Sequence, residues 1–177
     1  MAAWLERFKE TWGRIRGRRP SKDIFTDLRS MALSIDLASL ETSAREPWGG
    51  AGVAMMEIGM DGAVASIVAI ADGTVSMYTS TGGGVIGAGE HAAVRAEATR
   101  FRTVVADSRN VLSRTTDFPL PGPGEVRFQA RIGDDGFSSA APESALRGGR
   151  HPLSTVYAAG QDLLTEIRLA SESVGSG

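Results

Sequence analysis

The chain has 177 residues, 42% of them hydrophobic and 23% charged, a composition that excludes a disordered protein and a length that allows one buried core. It contains no cysteine, which excludes disulfides, thiolate metal sites and a thiol nucleophile. The net charge of −2 is uneven, because residues 1–22 hold seven basic and two acidic side chains, a net +5 that leaves −7 for the rest. An acidic body is poorly suited to a phosphate backbone, so we expect no nucleic-acid partner.

We expect neither a membrane-spanning segment nor a secretory signal. The longest uncharged apolar run lies between Asp61 and Asp72, whereas a membrane-spanning helix needs about 20 residues. Charges at Glu6, Arg7 and Lys9 interrupt the region where a secretory signal would be apolar. The sequence therefore predicts a cytoplasmic protein, and its Arg-, Ala- and Gly-rich composition is typical of a bacterial genome of high GC content.

Residues 1–20 are predicted to form a basic amphipathic helix followed by a hinge. Its aromatic and aliphatic residues recur at spacings of four, four and three, and Gly17 and Pro20 end the pattern. Such a helix could lie on an anionic membrane surface, dock into a groove on a partner protein, or fold back onto its own domain. The residues predicted to make these contacts are Trp4, Phe8, Trp12, Ile15, Arg16, Arg18 and Arg19.

Residues 21–171 are predicted to form a single domain, with 172–177 as a flexible tail. A helix over residues 22–44 comes first, and three strands follow at 52–60, 63–71 and 74–80. The dipeptides Asp61-Gly62 and Asp72-Gly73 separate these strands and are typical of type I′ hairpin turns, in which both central residues have positive φ. The sequence thus predicts an antiparallel meander. Its middle strand is apolar on both faces, which favours cover from both sides or an oligomer interface.

The second half of the domain contains two helices and two strands. Val94, Ala98, Phe101 and Val105 recur at helical spacing and predict one helix over about 90–113. Strands are predicted at 126–132 and 137–141 around a turn at 133–136, and a last helix at about 152–170. The order α-α-β-β-β-α-β-β-α predicts an α+β fold with a five-stranded, mainly antiparallel sheet and flanking helices.

The glycine-rich run at residues 82–89 is the most distinctive motif. Gly82, Gly84 and Gly87 match G-x-G-x-x-G between a strand and a helix, and Asp107 stands where a ribose-binding carboxylate would follow. The antiparallel hairpins before the run and the continuous helical period after it argue against a dinucleotide fold. Two interpretations remain: backbone N–H groups at the helix start that hold a phosphate or carboxylate, or glycines that only supply positive φ and close approach.

The other candidate ligand-binding residues precede two predicted helices. Glu90 and His91 lie at the first helix start, and Arg150 and His151 at the second, so they share a pocket only if both starts lie at one edge of the sheet. Two histidines without an acidic partner at ligand spacing do not predict a metal, and a surface or capping role is the alternative. No catalytic residue, metal ligand or cofactor is predicted, and the full candidate set is Gly82, Gly83, Gly84, Gly87, Gly89, Glu90, His91, Arg150 and His151.

The run MEIGMDGAVASIVAIADGTVSMYTSTGGGVIGAGEH, with PGEVRF and RHPLSTVYAAG, resembles a family of small bacterial proteins of unknown function over about residues 48–168. The resemblance implies no activity. Because the sequence has no nucleophile elbow and no phosphate loop, we expect a non-enzymatic protein-binding or assembly module that pairs with another protein or with itself. The alternatives are a protein or enzyme that binds a small anionic ligand or nucleotide at residues 82–89, and a peripheral membrane protein attached through residues 1–16.

Overall fold

Four α-helices and a seven-stranded sheet form the part of the chain that the structure, a computed structural model, describes, namely residues 22–40 and 50–174. The helices are α1 (Lys22–Leu33), α2 (Ala92–Asp107), α3 (Glu143–Arg147) and α4 (Ser154–Val174). The strands are β1 (Val53–Met60), β2 (Ala63–Ile70), β3 (Val75–Thr79), β4 (Gly84–Ile86), β5 (Ser113–Arg114), β6 (Glu125–Ile132) and β7 (Asp135–Pro142).

The sheet is antiparallel throughout and has the strand order β4-β3-β2-β1-β6-β7-β5. Strands β1 to β4 form one meander, β6 and β7 form a hairpin, and the pairing of β1 with β6 joins the two halves. At the Asp61-Gly62 turn only Gly62 has positive φ, 72°. Every described residue with positive φ is a glycine. The hairpin prediction is confirmed, but the turn is not the type I′ turn that the dipeptide predicts.

Helices cover both faces of the sheet. α2 and α4 pack on one face, where Phe101, Phe128 and Leu163 are buried. α1 packs on the other face, where Phe25 and Leu28 are buried in a second apolar cluster. Strand β2 lies between β1 and β3 and is buried from Ser66 to Ile70, so its apolar sequence reflects cover from both sides. None of the described helices has the length and apolar character needed to cross a bilayer.

We name the two ends of the sheet by the strand residues found there. The upper end contains the paired residues Val53, Ile70 and Arg131, and the lower end contains Met60, Ala63, Glu125 and Pro142.

Helix α1 crosses the strands and contacts β3, β1 and β6 in turn. Its last residue, Leu33, accepts a hydrogen bond of 2.9 Å from Arg131 Nη1 at the upper end. Four residues earlier, Arg29 contacts Glu57 in the middle of β1. Phe25, near the start of α1, packs against Tyr78 of β3, which lies level with Glu57 in the sheet register, so the helix runs from β3 towards β6.

The α+β class and the antiparallel sheet are confirmed, but the predicted count of five strands is wrong. The additional strands, β4 and β5, are edge strands of three and two residues, too short for a period of two to be visible in sequence. The five-residue helix α3 was also not predicted.

Two helices end earlier than their periodicity predicts. α1 stops at Leu33 because Ser34 Oγ donates to the Ser30 carbonyl and Asp36 caps a separate 3₁₀ turn. α2 stops at Asp107, and another 3₁₀ turn follows. α4 continues to Val174, so the start of the predicted tail is helical. The predicted helix over residues 1–16 lies outside the described residues.

Candidate functional site

The glycine run forms a hairpin and a corner. Residues 80–83 connect β3 to β4, and the chain then makes a 3₁₀ turn (Ala88–Glu90) before α2 begins. Gly84 has a φ of 152°, and a Cβ there would lie 2.2 Å from the Met77 carbonyl oxygen. A Cβ on Gly89 would lie 2.0 Å from the carbonyl oxygen of Gly73. Close backbone approach therefore accounts for both glycines without a ligand.

The two histidines lie at opposite ends of the sheet. His91 is exposed at the start of α2, beside the corner that Gly89 packs against the β2–β3 turn at the upper end. His151 precedes α4, whose Ser154 bonds to the Leu146 carbonyl in α3, and α3 directly follows β7 at the lower end. The structure therefore does not bring the two histidines and the glycine run into one pocket.

The environment of His151 indicates a capping role. Its Nδ1 accepts a hydrogen bond of 3.2 Å from the Leu153 N–H, in the turn that leads into α4. Arg150, its neighbour, is exposed. Glu90 is likewise exposed, beside His91. Within the described ranges, no three His, Cys, Asp or Glu residues are grouped closely enough to hold a metal ion.

A buried polar cluster lies between α1 and the sheet, and sequence analysis did not identify it. Glu57, in the middle of β1, has no exposed surface. Arg29 from α1 donates to both of its carboxylate oxygens, Nε to Oε1 at 2.8 Å and Nη2 to Oε2 at 2.9 Å. Ser66 Oγ donates to Oε1 and Gln129 Nε2 to Oε2, each at 2.8 Å. The carboxylate thus accepts four hydrogen bonds and has a cation beside it, which is what a buried charge requires.

The same cluster holds an irregular segment against the sheet. Arg29 Nη2 also donates to the carbonyl oxygens of Phe118 and Pro119, at 2.7 and 3.2 Å. Gln129 Nε2 donates to the Pro119 carbonyl at 2.7 Å. The cluster therefore ties α1, the central strands and the segment before β6 together. Because Glu57 is fully buried and saturated with donors, it is not placed to take a proton from a substrate.

Four buried polar atoms have no hydrogen-bond partner among the described residues. They are Tyr78 Oη, Ser76 Oγ, Arg127 Nε and Gln129 Oε1. Tyr78 packs edge-on against Phe25 of α1, with ring centroids 5.6 Å apart. Burial raises the pKa of Tyr78 far above its usual range, and the negative charge of Glu57 adds to this, while Arg29 opposes it. Tyr78 is therefore a neutral buried phenol.

A second group of polar residues joins α3 to α4. Tyr157 Oη donates to Glu143 Oε1 at 2.7 Å, and Arg147 Nη2 donates to the same oxygen at 2.8 Å. The bond from Arg147, followed by that from Tyr157, lowers the pKa of Glu143. The pKa of Tyr157 is raised, chiefly by burial and then by its bond to Glu143. This arrangement connects two helices at the surface.

The lower end carries two exposed apolar side chains, which strand alternation and the Gly59–Gly122 contact place on different faces of the sheet; together with two prolines we call them the lower-end surface. Two of the three exposed large hydrophobic side chains among the described residues lie here, Met60 at 42% and Leu120 at 44% exposure, and Leu169 on α4 is the third. The exposed prolines Pro123 and Pro142 flank them. The lower-end surface is accordingly defined by Met60, Leu120, Pro123 and Pro142.

Backbone contacts hold the lower-end surface in place. Gly124 N–H donates to the Gly59 carbonyl at 2.9 Å, and Glu143 N–H donates to the Gly124 carbonyl at 2.9 Å. A Cβ on Gly59 would lie 1.9 Å from the Gly122 carbonyl oxygen, so these two backbones are in direct contact. The segment around Leu120 is thereby fixed against β1 and the start of α3.

Two signals in the sequence pointed to the buried polar cluster around Glu57, which sequence analysis did not identify. Glu57 is the only charged residue in the run from Gly49 to Met60, and Arg29 lies beside the apolar face of α1. Period-two analysis could not place Glu57 inside, because both faces of β1 are covered and the strand shows no alternation. The contact residues predicted at positions 4–19 lie outside the described residues.

Comparisons of this chain with protein-family models, with curated proteins and with solved structures found no match. The resemblance to a family of small bacterial proteins stays a prediction.

Proposed function

We propose that this protein is a non-enzymatic protein-binding or assembly module and that the lower-end surface is its contact site. The observation that carries the proposal is the exposure of Met60 and Leu120 on backbone held in place by hydrogen bonds. Exposed apolar side chains on an ordered backbone favour association, because binding removes apolar surface from water without ordering a loop first.

The residues predicted for the alternative ligand site give less support to a ligand-binding function. Gly84 and Gly89 have conformational explanations, and the glycine run and His151 are separated by the length of the sheet. A nucleotide or phosphorylated metabolite would need donors beyond the start of α2, and Arg150 is not placed to supply one. The membrane alternative depends on residues 1–16, outside the described ranges.

The proposal is tested with three full-length proteins: the wild type, Met60→Asp/Leu120→Asp, and Leu169→Asp as a control on another exposed hydrophobic residue. Each is tagged and used to recover partners from its host, and its mass in solution is measured over a range of concentrations. We expect the wild type and Leu169→Asp to retain the same partner or to self-associate, and the double variant to lose that interaction. Monomeric wild-type protein that recovers no partner, or a double variant that retains it fully, would contradict the proposal.

A further inference from the structure

We infer that α1 is a lid that opens away from the sheet while the sheet, α2 and α4 stay folded. The lid covers the middle of one sheet face and not the lower-end surface, so this property is separate from the proposed function. Three differences between the two faces of the sheet make α1 the weakly held layer: buried polar atoms, buried apolar side chains and hydrogen bonds to the rest of the chain.

The buried side-chain atoms that lack a partner among the described residues all belong to the sheet face on which α1 packs. They are Ser76 Oγ and Tyr78 Oη on β3, and Arg127 Nε and Gln129 Oε1 on β6. Strand alternation turns these four residues to that face, since their neighbours on both strands pack in the core under α2 and α4. A polar group buried without a partner destabilises the state that buries it, and water satisfies it once the cover leaves. Cover of this face therefore carries a cost that cover of the other face does not.

The helices on the other face bury more apolar side chains than α1 does. The buried apolar side chains of α1 are Phe25, Leu28, Ala32 and Leu33. Those of α2 and α4 together are Val94, Ala98, Phe101, Val105, Val156, Tyr157, Ala159, Leu163 and Ile167. Because the free energy of apolar burial follows the area removed from water, α1 gains less from its contact with the sheet.

Hydrogen bonds also hold α2 and α4 more firmly. Arg100 of α2 forms an ion pair with Asp162 of α4, and the Ala51 N–H donates to the Arg102 carbonyl at 3.0 Å, which ties α2 to the chain just before β1. Among the described residues, α1 has no backbone hydrogen bond to a strand. Its ion pair, Arg29 with Glu57, is buried, so much of the attraction is offset by the water that both groups lose.

The hinge of the lid lies just after α1. Residues 34–36 leave the helix, and the 3₁₀ turn that follows (Leu37–Ser39) is anchored to the sheet, because the Leu37 side chain packs directly on the backbone of Gly52. A Cβ on Gly52 would lie 2.5 Å from Leu37 Cδ1. The chain can therefore bend between Leu33 and Leu37 while the turn stays in place. Opening exposes the Tyr78 hydroxyl and the Glu57 carboxylate to water.

Native-state hydrogen exchange of the full chain, followed by NMR, measures this opening, because a helical amide proton exchanges only when its hydrogen bond opens. We expect the amides of residues 28–33 in α1 to be protected, yet to exchange at least about 100-fold faster than those of residues 101–105 in α2. Their exchange should also depend less on urea, since opening of the lid exposes less surface than global unfolding.

Two variants distinguish opening of the lid from global unfolding. Ile167→Val removes a methylene group from the core under α4, where Ile167 is fully buried, and so weakens the closed and the open state equally. Exchange in α2 should rise about fivefold, while exchange in α1 stays unchanged. Arg29→Met leaves the Glu57 carboxylate buried without its cation in the closed state alone, so exchange in α1 should rise about 100-fold.

Three results would overturn the inference. Equal exchange in α1 and α2 with the same urea dependence would mean that α1 opens only when the whole chain unfolds. The same conclusion would follow if Ile167→Val raised exchange in α1 as much as in α2. Exchange in α1 as fast as in an unstructured peptide would mean that α1 does not close on the sheet.

Discussion

Replacing Arg29 by methionine would leave Glu57 buried without its cation. Arg29 supplies two of the four donors to that carboxylate and also bonds two carbonyl oxygens of the segment before β6. Removal of one partner from a buried ion pair typically costs about 3–5 kcal/mol. Because the Arg29 side chain is 12% exposed, some water can reach the site, and we expect about 3 kcal/mol, the lower end of that range.

The assay is urea unfolding of the full chain followed by far-ultraviolet circular dichroism. With an m-value of about 2 kcal/mol/M for a protein of this size, the midpoint should fall by roughly 1.5 M. Arg109→Met is the matched control, since Arg109 is exposed in a 3₁₀ turn, and it should change the free energy of unfolding by less than about 0.5 kcal/mol.

A double variant separates the loss of the ion pair from the cost of leaving the Glu57 carboxylate buried without a cation. Arg29→Met/Glu57→Leu removes both charges and fills the space with apolar atoms, so it should recover most of the stability that Arg29→Met loses. If Arg29→Met is as stable as Arg109→Met, or if adding Glu57→Leu recovers no stability, the assignment of Glu57 as a buried charge that depends on Arg29 is wrong.

Three further predictions concern stability. Tyr78→Phe removes a buried hydroxyl with no partner among the described residues. In thermal unfolding the variant should be as stable as the wild type or more stable by about 1 kcal/mol. A loss of stability above that size would mean that the hydroxyl has a partner. Gly89→Ala places a Cβ 2.0 Å from a carbonyl oxygen and should destabilise the protein more than Gly87→Ala. At Gly87 a Cβ meets open space, so the cost is only that of the positive φ of 78°, about 1–2 kcal/mol. Equal urea midpoints of the two variants would refute the steric argument. The pKa of Glu143 is lowered in the folded state, chiefly by Arg147, so its contribution to stability is present above the ordinary pKa of a glutamate and is lost as pH falls through the folded value. The difference in unfolding free energy between the wild type and Glu143→Gln should therefore be largest near neutral pH and shrink in acid, and a difference that grows in acid would contradict this.

The hairpins and long helices were predictable because their signals are local. Asp-Gly dipeptides between apolar runs located the β1–β2 and β2–β3 turns, although they did not determine the turn type. The end of α1 was not predictable from periodicity, since Ile35 continues the helical spacing while Ser34 and Asp36 divert the backbone to side-chain bonds.

The polar cluster and the lower-end surface depend on contacts between distant parts of the chain. Arg29 meets Glu57 across 28 positions and Gln129 meets Glu57 across 72. Periodic patterns in a sequence do not encode contacts between residues so far apart. The glycine run, by contrast, drew attention in the sequence because of its composition, and the structure explains Gly84 and Gly89 by backbone crowding.

The junction of β1 with β6 has a consequence for how the chain folds. The β1–β4 meander and the β6–β7 hairpin can each form from neighbouring residues, but β1 and β6 meet only after a long loop closes. We expect that pairing to be late. A slip of one residue there would turn Gln129 to the opposite face of the sheet, away from the Glu57 carboxylate, which would lose one of its four donors and keep those from Arg29 and Ser66. The hydrogen bond from Gln129 to the buried Glu57 carboxylate would then favour a single register of β6 against β1.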